Sequence, residues 1–231
     1  MMIDNSSAHS SSDYDAEIAA TLPYLDLFYQ ATIDVVRAIS ETTGDNRPPR
    51  RWLDTGCGTG AFCAEAMRKF PNTEFTLADP SVAMLEIAKG KAGTSDHVSF
   101  ELSGTAGLGF LDGYFDVISA IQCHHYLDQA GRAQATANCF RMLRVGGIYV
   151  EFENILPLTQ RGQDIGLQMW KTYQIEHGKA PAQAADHIGR FNTGYFPISI
   201  PDHLALLEDT GFTVTEILWA SFMQAGFYAI K

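Results

Sequence analysis

Three glycines at alternate positions, Gly56, Gly58 and Gly60, follow the short run Arg51-Trp52-Leu53 and its acidic end, Asp54. Glycine tolerates the left-handed backbone of a tight turn and lets a ligand touch the chain. A helical segment follows at once, and its N-terminus would present free N–H groups above the turn. Dinucleotide folds space such glycines as G-x-G-x-x-G beneath a pyrophosphate. Here the third glycine comes one residue early, and Asp54 would repel a pyrophosphate; its carboxylate suits a ligand carrying positive charge. Roughly 20 residues past the turn, Asp79 ends the next apolar run, where an acid can accept hydrogen bonds from ribose hydroxyls. The plainer alternative for Asp79-Pro80-Ser81 is a helix start with Asp79 or Ser81 as N-cap.

These residues need a scaffold, and the pattern of the chain supplies one. Strands are expected over 51–54, 74–78, 97–102, 115–121 and 148–152, alternating with helices over 61–70, 81–91 and 129–143, the last stopping at Gly146-Gly147. That alternation predicts a doubly wound α/β fold with a mostly parallel sheet and helices on both faces. Ahead of it, apolar positions recur at helical spacing over 15–40, divided at Pro23, and 43–49 is a turn-rich linker. The region 154–201 breaks the rhythm with a helical stretch over 165–176 and then a loop rich in Gly, Pro, Asn and aromatics. A helix over 202–209 precedes strands 213–219 and 224–230, close enough in sequence to pair antiparallel.

Leu53-Asp54-Thr55-Gly56-Cys57-Gly58-Thr59-Gly60 resembles the signature of class I S-adenosylmethionine-dependent methyltransferases, and the later segments follow in order from Trp52 to Lys231. Phe75-Thr76-Leu77-Ala78-Asp79 is similar to the family's second strand with its ribose acid. Ser103-Gly104-Thr105-Ala106 resembles the G-D-A-type loop that holds the adenine edge, with Thr105 where an Asp is commoner. Arg144-Val145-Gly146-Gly147 resembles the L-x-P-G-G turn, with Val145 in place of the proline. The resemblance implies a Rossmann-like domain over 14–231, an N-terminal helical lid over 14–46, and an acceptor-site insertion over 154–201 before the last two strands. It implies S-adenosylmethionine as cofactor and S-adenosylhomocysteine as product. The expected cofactor contacts are Tyr14 (a lid tyrosine able to reach the cofactor carboxylate), Asp54, Gly56, Cys57, Gly58, Gly60, Asp79, Pro80, Gly104, Thr105, Ala106 and Gln122.

The chemistry beyond the cofactor is less sharply drawn. Gln122-Cys123-His124-His125 follows the fourth expected strand, beside the expected cofactor methionine. A Cys-His-His run can suggest a metal, but adjacent residues at a strand end diverge and no further ligand stands at metal spacing, so none is expected. His124, His125, His177 and Tyr195 are the candidate bases, with packing as the ordinary alternative for each. In the insertion, Trp170, Tyr173, Arg190, Asn192 and Phe196 combine aromatic walls with polar groups, as small-ligand pockets do. Arg190 could pair with an acceptor carboxylate or phosphate.

Composition narrows the partners. The 231 residues carry a net charge of −11 and 46% apolar side chains, enough for one sizeable core, while the acidic surface disfavours nucleic acid and anionic membranes. Cys57, Cys63, Cys123 and Cys139 form no C-x-x-C pair, and free thiols suit a reducing cytosol. Residues 1–13 are polar and Ser-rich, as in a disordered tail, without the apolar core of a leader peptide. A cytoplasmic enzyme acting on a small-molecule acceptor is therefore expected. The alternatives are an enzyme resembling those that modify tRNA wobble uridine or synthesise carboxy-S-adenosylmethionine, and a non-catalytic module that senses the cofactor.

Overall fold

A computed structural model describes residues 11, 14–42, 47–93 and 95–231. Helices α1 (Tyr14–Thr21) and α2 (Leu25–Thr42) lead into β1 (Arg51–Thr55), α3 (Ala61–Lys69), β2 (Glu74–Ala78), α4 (Val82–Ala92), β3 (Val98–Glu101) and β4 (Phe115–Ile121). Then come α5 (Gln129–Met142), β5 (Leu143–Asn154), α6 (Gln160–Glu176), α7 (Pro181–Gly189), α8 (Ile200–Thr210), β6 (Val214–Ser221) and β7 (Gln224–Ile230). The expected tail, apart from Ser11, and linker residues 43–46 lie outside the described residues.

The strands form one sheet in the order β3-β2-β1-β4-β5-β7-β6. β1 to β5 pair in parallel, whereas β7 pairs antiparallel with both β5 and β6. The chain leaves β1 toward β2 and β3 and later returns to its other side as β4. This makes β1/β4 the switch point where an open α/β sheet opens a crevice at its strand ends. One face buries Phe28, Ile33 and Val36 of α2 and Phe62 and Ala66 of α3 against Trp52, Val117 and Phe152. The other buries Cys139 and Met142 of α5 and Leu207 of α8 against Leu53, Ile118 and Phe227.

Two elements depart from the pattern expected from sequence. Residues 181–189 form α7 where a loop was expected, because Pro181 occupies the first helical turn, where its missing N–H costs nothing. β5 extends to Asn154, past the expected end at 152, because residues 153 and 154 continue the antiparallel ladder with β7 opposite Ala225 and Gln224. The break between α1 and α2 falls at Leu22-Pro23-Tyr24, where Tyr24 takes φ 62°.

The region after β5 is tied to the N-terminal helices by Trp170. Its indole is fully buried, its Nε1–H donates to the Thr21 carbonyl at 2.7 Å, and its ring meets His187 and Tyr195. Trp170→Ala is expected to lower unfolding stability by about 3–5 kcal/mol, the usual cost of emptying a buried indole site. Urea denaturation would check this; a loss below about 1 kcal/mol would mean that α1 and α6 do not pack through this ring.

Candidate functional site

The turn after β1 holds Gly56, Gly58 and Gly60 at φ +67°, +53° and +73°. Position 56 is doubly constrained, since a Cβ there would fall 2.3 Å from the Cβ of Cys123, in the turn after β4. At Gly58 the direction of a Cβ is open, and its N–H donates to Asp79 Oδ2 at 2.9 Å. Asp79 Oδ1 accepts from the Ser81 N–H at 2.8 Å, while Ser81 itself caps α4 by accepting from the Met84 N–H. The capping role therefore falls to Ser81. Each oxygen of Asp79 keeps acceptor capacity, and burial raises its pKa above the ordinary carboxylate value.

A cavity of about 320 Å³ opens above these residues. Gly56, Gly58, Asp79 and Pro80 line one side; Gly104, Thr105, Ala106 and Gly107 line another; Gln122, Cys123 and His124 come from the turn after β4. Met84 and Leu127 add apolar walls, and Tyr14 reaches in from α1. α1 is held over the turn by Asp15, whose Oδ1 accepts from Thr59 Oγ1 at 2.6 Å. Lys91 of α4 pairs with Asp15 Oδ2 and donates to Thr59 Oγ1 at 2.8 Å. Backbone amides, an acceptor acid, apolar walls and a tyrosine together fit a nucleoside carrying a short polar tail.

Three expected cofactor contacts do not line this cavity. Asp54 lies beneath its floor, 3% exposed, with Oδ1 accepting from Ser119 Oγ and Oδ2 from Cys63 Sγ at 3.1 Å. Trp52 Nε1–H donates to Ser119 Oγ at 2.9 Å and so fixes that hydroxyl. The Asp54 carboxylate thus stands behind the glycine turn rather than on the cavity wall. Gly60 is turned against Ala88, 3.1 Å from where its Cβ would lie. Cys57 closes the turn, its N–H donating to the Ala78 carbonyl at 3.0 Å.

A second, small chamber adjoins the first and shares Tyr14, Gln122 and Tyr126 with it. Its free volume is about 20 Å³ between rings of Trp170, Tyr195 and His125, with Asn154 and His187 completing the polar wall. Gln122 adopts φ 58°, and its N–H donates to the Phe152 carbonyl at 2.7 Å, so the backbone at this boundary is pinned to β5.

Glu153 organises the turn after β4. Its Oε1 accepts from the N–H groups of Cys123 and His124, and its Oε2 from the N–H of His125 and from His125 Nδ1 at 2.5 Å. Burial pushes this carboxyl upward, but the facing His125 ring and the donated hydrogen bonds overcome that and hold it at about 2. His125 Nε2 has no hydrogen-bond partner among the described residues, and the ring lines the small chamber.

The other three expected bases stand in different surroundings. His124 is committed at both nitrogens, Nε2 with Thr105 Oγ1 at 2.9 Å and Nδ1 with Tyr149 OH at 3.2 Å, and burial lowers its pKa. His177 is exposed, stacked on Tyr173 and bonded to the Tyr173 carbonyl. Burial raises the Tyr195 phenol, which keeps its proton and serves as chamber wall.

Of the expected acceptor contacts, only Trp170 lines the chamber. Tyr173 packs outward, with its OH toward the Ala19 carbonyl, and Arg190 lines an open polar groove of about 540 Å³ between α1 and α6–α7. Asn192 is an exposed turn residue at φ 60°. Phe196 is 40% exposed; its peptide does the work, its N–H donating to the His125 carbonyl at 2.6 Å. Aromatic and polar richness identified the segment but not which side chains turn inward. Cys123, His124 and Glu153 lie close enough together to suggest metal ligation, yet the His124 nitrogens and Glu153 oxygens already hold the bonds above and Cys123 Sγ donates to the Thr55 carbonyl.

Glu153, Asn154 and Tyr126 were not singled out from sequence. The signal for Glu153 was present: in a strand buried on both faces, Glu151 and Glu153 alternate with Val150 and Phe152, and a buried acid demands a partner.

Comparison with known proteins agrees with this geometry. A family model described as a methyltransferase domain matches residues 53–147. Residues 53–147 thus form a methyltransferase domain of the class I S-adenosylmethionine-dependent kind. Malonyl-[acyl-carrier protein] O-methyltransferase 1 of Ilyobacter polytropus is 46% identical over 48 residues, covering 21% of this chain and 18% of that one. Carboxy-S-adenosyl-L-methionine synthase of Nautilia profundicola is 23% identical over 190 residues, covering 78% and 76%. The solved plantazolicin methyltransferase BpumL, in complex with a triazolic desmethylPZN analog and SAH, has 13% identity and a TM-score of 0.70, covering 96% of this chain and 89% of that one. The match to several curated relatives thus spans less than half of their length. No helix among the described residues of this methyltransferase is long and apolar enough to cross a membrane.

The buried Asp54 gives the methyltransferase fold a measurable pH signature. Burial lifts its pKa to about 6, against the pull of the Ser119 and Cys63 hydrogen bonds. The folded state then holds the proton more tightly than the unfolded chain, whose Asp titrates near 4. Stability from this group is highest below pH ~4, falls as pH rises toward ~6, and is flat above. Relative to Asp54→Asn, wild-type unfolding stability should fall by about 3 kcal/mol across that window. Urea denaturation at several pH values would show it; a pH-independent difference would contradict the burial of an ionisable group here.

Proposed function

We propose that this methyltransferase transfers the methyl group of S-adenosylmethionine to a small acceptor received where the larger cavity meets the small chamber, beside Gln122 and Tyr126, with His125 as the base. The observation that carries the reading is the shared wall: the two spaces meet at Tyr14, Gln122 and Tyr126, and His125 lines the far side of that boundary. In this reading Asp79 receives the ribose hydroxyls, the glycine turn and Tyr14 hold the amino-acid end, and the 104–106 loop holds the base. α1 and α2 act as the lid and the 154–201 region as acceptor insertion.

When bound, the cofactor supplies a methyl on a sulfonium, which leaves as a neutral thioether. The chain's own task is then chiefly alignment, which can lower the barrier by several kcal/mol. A hydroxyl acceptor must also lose a proton. Glu153 fixes the proton of His125 on Nδ1, so Nε2 can take the acceptor's proton as the new bond forms.

Two features favour a small molecule over tRNA. The chamber is enclosed and aromatic, and the −11 net charge opposes a phosphate backbone. Among the described residues, no Lys or Arg lines the chamber, so a carboxylated donor, as a carboxy-S-adenosylmethionine synthase would need, finds no cationic partner there.

The test is methyl transfer from radiolabelled S-adenosylmethionine to three cell fractions: small molecules, total tRNA and protein. Label is expected in the small-molecule fraction, and His125→Gln should slow its appearance by about 100-fold or more while S-adenosylhomocysteine affinity changes less than about threefold. Label confined to tRNA or protein, or an unaffected rate in the variant, would contradict the proposal.

A further inference from the structure

The small chamber cannot hold an acceptor by itself. Its free volume of about 20 Å³ has room for roughly one water-sized group, so it takes the reacting atom and little more. His187 forms a wall of that chamber and also a wall of the groove of about 540 Å³ between α1 and α6–α7. Its ring meets Trp170 edge-on, and its Nδ1 lies 3.1 Å from Nε2 of the fully buried Gln174, so the partition is held from the interior. The groove falls within the size range of small-molecule sites, and the transfer step itself makes no use of it.

Local structure places the groove's charges. Gly178 turns the chain out of α6 at φ +99°, and Pro181 starts α7 two residues after Lys179, whose N–H donates to the Gln174 carbonyl at 2.9 Å. Lys179 is therefore fixed in the groove wall, half-buried, and its ammonium has no hydrogen bond or ion pair among the described residues. Burial lowers its pKa, and the charge of Glu17 opposes that without reaching ion-pair distance. A partly desolvated ammonium without a partner is costly, and an anionic ligand group would relieve it. On α7, Asp186 and Arg190 stand four residues apart on the face that lines the groove. The Asp186 carboxylate likewise has no hydrogen bond or ion pair among the described residues, whereas Glu17 and Arg190 have partners of their own. Lys179 and Arg190 thus face the same space as Glu17 and Asp186.

We propose that the groove is the outer part of the acceptor site and receives an amino-acid end, its carboxylate at Lys179 and its ammonium at Asp186, while the acceptor's reacting group passes His187 into the chamber. The proposal rests on methyl transfer in that chamber. Charge balance selects the ligand class. A purely anionic acceptor, such as a phosphate ester, would bring its charge beside Glu17 and Asp186, and a polyamine would meet Lys179 and Arg190 in the same way. An amino acid or a short peptide end carries both charges close together, so each groove group that lacks a partner gains one of opposite sign.

The experiment incubates the full chain with methyl-labelled S-adenosylmethionine and the small-molecule fraction of a cell extract, then separates the labelled product by charge. The product is expected to bind a cation exchanger at about pH 2 and an anion exchanger at about pH 11, as a molecule with both an amine and a carboxyl group does. Lys179→Met and Asp186→Asn should each raise the extract concentration needed for half-maximal labelling by about tenfold or more, while Lys179→Arg raises it less than about threefold. S-adenosylhomocysteine affinity, read by calorimetric titration, should change less than about threefold in all three variants. A labelled small molecule lacking either charge, or a half-maximal concentration unchanged in Lys179→Met, overturns the inference and leaves methyl transfer standing. An unchanged value in Asp186→Asn overturns the ammonium contact, and a parallel fall in S-adenosylhomocysteine affinity overturns the separation of the groove from the cofactor cavity. Label in no small molecule overturns the inference together with the proposed function.

Discussion

The approach of two backbone turns at the sheet's switch point is the constraint on which the site depends. Gly56 after β1 and Cys123 after β4 are so close that any side chain at position 56 would collide with Cys123, and the positive φ of Gly56 disfavours one independently. Cys123 Sγ donates to the Thr55 carbonyl, and Glu153 gathers the N–H groups of Cys123, His124 and His125. With the two turns locked together, the larger cavity and the small chamber lie against a common wall.

That arrangement puts several carboxylates where water does not reach, and each is handled differently. Glu153 is saturated with donors and remains strongly acidic, whereas Asp54 has two weaker partners and is pushed up by burial. Glu151 accepts from Tyr149 OH and pairs with His203 Nδ1. Asp79 alone among these four lines the cavity, and its two backbone hydrogen bonds leave capacity for more. Unpaired buried charge is costly, so an acid kept at the crevice with spare acceptor capacity is the natural place to seek a ligand's hydroxyls.

Much of the scaffold was legible in the sequence because its signals are local. β2, β4 and β7 are simple apolar runs with the bounds expected, and the glycine turn needs only its own residues to be read. α7 was missed because Pro181 reads as a loop signal unless its place in the first turn is known. Glu153 was missed because the partner that extends β5 to Asn154 is β7, 70 residues away. The insertion was legible only as a segment: Trp170 turns inward while Tyr173, Asn192 and Phe196 do not, a choice made by packing against α1 and the β4 turn. Asp54 and Asp79 are both acids at strand ends, and only the path of the turn between them decides which faces the cavity.

The most direct measurement of the central claim is calorimetric titration of the wild-type chain and Asp79→Ala with S-adenosylhomocysteine and with NADH. The account predicts that S-adenosylhomocysteine binds, NADH does not, and Asp79→Ala weakens binding by about 10- to 100-fold, as expected for losing charge-assisted bonds to ribose hydroxyls. Binding of NADH in its place, or S-adenosylhomocysteine affinity indifferent to Asp79, would contradict it.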